Sequence, residues 1–168
     1  MAMLQSLMGL VLLVAAPALA QQNATSTHQT TIIKLIEIIR AEQDPNYRDF
    51  LAGNLPQLVE WGKPESTSSS VVDAVADLLD DTNDGVRGYA ASALGAIGPA
   101  AARITPRLLE AMKRAEAEFI RPGELQPSFF SGESICETLQ RIGATQRDTP
   151  CQFFPGTSRP GAYSGRPQ

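Results

Sequence analysis

This chain is short of the residues on which most site chemistry depends. It has one histidine, His28, one tryptophan, Trp61, and two cysteines, Cys136 and Cys151, in 168 residues. A Ser-His-Asp or Cys-His arrangement would have to be built on that one imidazole, which lies in a polar stretch near the N-terminus, and a zinc site would lack His and Cys ligands. Basic residues are in deficit too. The 14 Lys and Arg against 18 Asp and Glu leave a formal net charge of −4, the wrong sign for a face that holds nucleic acid. Carboxylates are plentiful, but no spacing singles out an acid and a base.

What is present begins with an uncharged first twenty residues that contain the apolar run Leu7 to Val14, Pro17, and Ala18-Leu19-Ala20 before Gln21. This pattern predicts an export signal cleaved after Ala20. The run is shorter than the ~20 residues of a membrane span, so no stable span remains after cleavage. The rest is long enough for one domain with a single core, located in the periplasm or secreted. There, one Cys136–Cys151 disulfide is favoured over two free thiols and would tie the last helix to the chain that follows it.

The chain then divides by composition. Residues 21–31 are polar and read as a flexible lead-in. Ile32, Ile33, Leu35, Ile36, Ile38 and Ile39 form a segment apolar on most sides, read as a covered helix with a strand as the alternative. Asp44-Pro45-Asn46 turns into a second helix running to Gly62 and kinked or delayed by Pro56. Ser70 and Asp73 stand at capping-box spacing, and Val71, Val72, Val75, Leu78 and Leu79 give the next helix its buried face. Asp80 to Gly85 is a turn, and Val86, Ala90, Ala93, Leu94 and Ile97 share one helix face that ends at Gly98-Pro99. Ile104, Leu108, Leu109 and Met112 predict a helix to about Phe119. Arg121 to Gly132, with two prolines and two glycines, reads as an inserted loop, and residues 152–168 as a disordered Pro/Gly-rich tail.

The stretch Leu78-Leu79, Asp81, Val86-Arg87, Ala90-Ala91, Ala93-Leu94-Gly95, Ile97-Gly98-Pro99 resembles the HEAT repeat family in its short bacterial form. Helix-ending glycines recur at Gly62, 36 residues before Gly98, and at Gly143, 45 after it, periods that suit stacked helical hairpins. The resemblance implies an all-α fold, a short α-solenoid of about three HEAT-like repeats over residues 32–151. It also implies that Asp81 and Arg87 form a structural ladder between adjacent repeats.

Two regions are candidates for contact with a partner. Asp73, Asp77, Asp80 and Asp84 keep helix-face spacing into the turn, as an acidic patch for a cationic partner or as a solvated face. Phe129-Phe130, on the inserted loop, either anchor a partner or fold back over the last hairpin. Asp80-Asp81-Thr82-Asn83-Asp84-Gly85 opens like a calcium loop, but Ala91 stands where the bidentate Glu is needed. The expected protein is therefore an exported, non-enzymatic scaffold with no cofactor, binding an unidentified envelope protein. The alternatives are an enzyme or subunit of the HEAT-like lyase type and a purely structural envelope protein.

Overall fold

The buried positions Ile32, Ile36 and Ile39 belong to a first helix that starts earlier than composition suggested. The computed structural model describes residues 26–62, 67–119, 129–144 and 151. Helix α1 covers residues 26–41, so residues 26–31, read from composition as lead-in, are its first turns. Their polar side chains do not prevent this, because Ile32, Ile36 and Ile39 behind them are fully buried and anchor the helix. Ile38, expected to be covered, is 53% exposed. The export signal, the remainder of the lead-in, most of the inserted loop and the tail 152–168 lie outside the described residues.

Asp44 and Pro45 open α2 (Pro45–Ala52), with the Asp44 carboxylate accepting from the Asn46 and Tyr47 amides; this satisfies donors that a helix start leaves unpaired. The helix expected to run on to Gly62 instead breaks at Gly53-Asn54, and α3 (Leu55–Trp61) begins with Pro56 in its first turn. Proline is well placed there because the first turn needs no donor from it. Helix α4 (Ser69–Asp77) starts with Ser68, not Ser70, at its N-cap, and no side chain caps it. The capping box is thus absent, and Asp73 pairs with Arg103 instead, at 2.8 Å.

A short 3-10 turn, Leu78–Asp80, leads to α5 (Asp84–Ile97), capped by Asn83 through the Gly85 and Val86 amides. Gly98 ends it with φ 70°, a left-handed conformation that suits glycine at a helix stop. A 3-10 stretch, Gly98–Ile104, precedes α6 (Thr105–Phe119), and α7 (Phe129–Arg141) is the last helix. Phe129, Phe130, Ser131 and Gly132 therefore belong to α7, which corrects their assignment to the inserted loop.

The described residues form helices joined by short connections, with no strand among them, arranged as three hairpins: α1 with α2–α3, α4 with α5, and α6 with α7. Helix α5 is the centre, packed on α3 at one side and on α7 at the other. Leu55, Val59, Val75, Leu94, Leu108 and Leu139 meet in one continuous core along the array, which is how hairpins too small to bury their own apolar faces become stable. Among the described residues no helix is long and apolar enough to cross a membrane.

Helices α5 and α7 come unusually close because α5 has no side chain at two contact points. A Cβ on Gly88 would overlap the Phe130 ring, and one on Gly95 would lie 2.7 Å from Thr138 Oγ1. The Thr138 hydroxyl uses that proximity to donate to the Ala91 carbonyl at 2.6 Å inside the core. Gly88→Ala should therefore lower stability by about 1–3 kcal/mol despite its gain in helix propensity; a urea melt unchanged from wild type would show that Phe130 yields freely.

Cys136 and Cys151 are disulfide-bonded, with Cα atoms 5.7 Å apart and 15 residues between them in sequence. Cys136 is fully buried and Cys151 packs against the core beside it. A bond of this kind points to an oxidising compartment.

Candidate functional site

The turn between α4 and α5 places four polar side chains where all three hairpins meet. Asp81 accepts from the Asn83 amide at 2.8 Å and lies 3.4 Å from Arg48 of α2. Arg87, in the first turn of α5, donates to the Asp81 and Thr82 carbonyls and pairs with Asp84 at 3.1 Å and with Glu118 of α6 at 2.7 Å. Asp81 and Arg87 thus do not pair through their side chains. Each reaches a different neighbouring hairpin, Asp81 backward and Arg87 forward.

Asp84 works in the same junction. Burial pushes its carboxyl above the usual carboxylate value, opposed by hydrogen bonds from Ser131 and by the charge of Arg87. Because Ser131 lies in the first turn of α7, the carboxylate sits at a helix N-terminus, where unpaired amides favour negative charge. Asn83 adds a bond to the Pro45 carbonyl at 2.9 Å. The partners Arg48 and Glu118 were not legible in the spacing, since they lie more than thirty residues from Asp81 and Arg87.

The rest of the acidic row faces outward but is not open. Arg103 meets Asp73, Arg40 and Arg107 both meet Asp77, and Arg107 and Arg114 meet Asp80, at distances from 2.6 to 3.1 Å. The expected patch for a cationic partner is therefore already covered by arginines from α1 and from the hairpin that follows. These side chains are roughly half exposed, so each pair contributes under about 1 kcal/mol and the lattice acts mainly to register α4 between its neighbours.

Asp77 shows the consequence for pH. Its carboxyl is held below the usual value, first by the hydrogen bond from Arg107 and then, against partial burial, by Arg40. A lowered folded-state value means that this stabilisation is present above the unfolded-state value and is lost as pH falls through the folded one. Asp77→Asn should therefore cost up to about 1 kcal/mol at neutral pH and nothing in strong acid, with the melting curves of the two proteins converging as pH drops; a constant difference across that range would refute the assignment.

Phe130 is equally committed. It packs edge-on to Tyr89 with ring centroids 5.0 Å apart and lies over Gly88, so it covers the last hairpin from within. His28, assigned by composition to a flexible lead-in, stands in α1 and donates through Nε2 to the Leu58 carbonyl at 2.6 Å, satisfying an acceptor near the end of α3. No group of three or more His, Cys, Asp or Glu that could hold a metal ion occurs among the described residues.

What remains open is the outer end of the first hairpin. In α2, Arg48, Asp49 and Ala52 face the second hairpin: Arg48 bonds Thr82 at 3.2 Å, Asp49 fills the space left by Gly85, and Ala52 is buried. Helical geometry places Tyr47 and Phe50 on the opposite side. They are 51% and 67% exposed and stack on each other, centroids 6.0 Å apart, while Trp61 of α3 is 72% exposed. Isolated exposed apolar residues are ordinary, but a stacked aromatic pair with a third aromatic on the same hairpin is not. The last hairpin differs: Ile135, Cys136 and Leu139 of α7, and Ile142 just after it, are all buried. Sequence reasoning missed this end because Tyr47 and Phe50 stand at the same i, i+3 spacing as core residues.

Residues 32–123 match the family model for HEAT repeats. No curated protein and no solved structure matches the chain.

Proposed function

Because this chain belongs to the HEAT repeat family, we propose that it is an exported, non-enzymatic scaffold that binds a protein of the cell envelope through the aromatic end of its first hairpin. The observation that carries this reading is the exposure of Tyr47, Phe50 and Trp61 in an array whose acidic row and Phe130 are otherwise engaged. Tyr and Trp are favoured at contact centres because they bring large area at low entropic cost. Export agrees with the uncharged apolar N-terminus and with the Cys136–Cys151 bond.

The test uses the full-length gene in its native host. Wild-type protein should be recovered from the envelope fraction with a mature mass beginning at Gln21, and should co-purify with a partner that Phe50→Ser with Trp61→Ser fails to retain. Those positions are exposed, so the double variant should keep the wild-type melting temperature. A partner retained undiminished by the folded variant would move the contact elsewhere on the array.

A further inference from the structure

Where the second hairpin meets the third, two carboxylates share one guanidinium. Arg87 reaches Asp84 at 3.1 Å and Glu118 at 2.7 Å, and none of the three side chains is more than 29% exposed. Asp84 also accepts hydrogen bonds from the Ser131 hydroxyl and backbone amide. This one aspartate thus joins the start of α5 to the last turn of α6, through Arg87, and to the first turn of α7. The other described charges around it are engaged elsewhere or are acidic. In α2, Arg48 is taken by Asp81, and Asp49 lies against Gly85, the residue after Asp84. In α6, Arg114 turns to Asp80 and the Leu79 carbonyl. In α7, the first charged residue after Ser131 is Glu133, itself pushed up by burial and by Glu137.

Like charges in a poorly hydrated place disfavour each other's ionised forms. Asp84 is the carboxyl more easily neutralised, because Arg87 holds Glu118 at the shorter distance and keeps its bonds to the Asp81 and Thr82 carbonyls without it. We propose that this junction is an acid-tightened clasp: uptake of one proton at the Asp84 carboxyl relieves the excess charge and closes the third hairpin more firmly on the second. Burial, the largest influence on Asp84, and the charge of Glu118 both act in this direction and outweigh Ser131 and Arg87. A folded-state value raised above the unfolded one means that the stabilisation is complete below the unfolded value and is lost as pH rises through the folded one. Asp77 behaves in the opposite way, since its contribution is lost in acid.

Carboxyl NMR titration of the full-length protein, paired with hydrogen exchange at the start of α7, tests the clasp. The Asp84 carboxyl should titrate with a midpoint above that of an ordinary aspartate, and Glu118→Gln should lower the midpoint by leaving Arg87 to Asp84 alone. Over the same pH range, the opening equilibria of the Ser134 and Ile135 amides, corrected for intrinsic exchange, should shift toward the closed state in acid more in wild type than in Asp84→Asn. A midpoint at or below the ordinary value would overturn the proposal, as would amide opening with the same pH dependence in both proteins. If Asp84→Asn does not fold, the wild-type titration and Glu118→Gln decide the matter, because a purely structural Glu118 would leave the Asp84 midpoint where it was.

Discussion

Leu94→Asp should leave the array unfolded at room temperature, with the helical circular dichroism signal lost and no cooperative thermal transition. Leu94 is completely buried in the middle of α5, the helix that touches the other hairpins on both sides. The substitution removes a full apolar side chain from that contact and puts in a carboxylate with no partner, each change costing several kcal/mol. Domains of this size have only about 5–15 kcal/mol in total. Leu94→Ala separates the two contributions: it should retain a transition, destabilised by about 2–5 kcal/mol. A folded Leu94→Asp protein with an unchanged melting temperature would mean that the α5 face has been misassigned.

The second large effect belongs to the disulfide. Reduction, or Cys151→Ser, should lower stability by about 3 kcal/mol on the loop-closure estimate for a 15-residue separation, and the melting temperature by roughly 10–20 °C. Added to the entropy is the loss of Cys151 from its place against the core. Calorimetry of the oxidised and reduced protein checks this, and thiol titration of unfolded, unreduced material from the envelope fraction should find no free cysteine. Two free thiols there would remove the disulfide together with its support for export.

How much was legible in advance differs between neighbouring stretches. The α5 pattern from Val86 to Ile97, its glycine stop and the all-α repeat architecture follow from local rules, in which apolar spacing and a left-handed glycine say the same thing. The break at Gly53-Asn54 did not, because Pro56 drew attention to the helix interior when it was opening a new helix. Nor did the start of α1, whose polar first turns are held by the isoleucines behind them and by the His28 bond to Leu58.

The candidate contacts divide along the same line. A row of aspartates at helical spacing can be read from the chain, but whether it meets solvent or arginine depends on residues 27 to 37 positions away that only hairpin stacking brings alongside. Phe130 and Phe50 look alike as letters; one is turned onto Gly88 and Tyr89, the other away from the second hairpin. The sequence by itself determined the helices, their repeat and the cysteine pair, since propensity, apolar period and cysteine number act locally or by elimination. The tertiary structure alone decided which charges are neutralised and which aromatics stay open, because both follow from the order in which the hairpins stack and from which end of the stack is left without a neighbour.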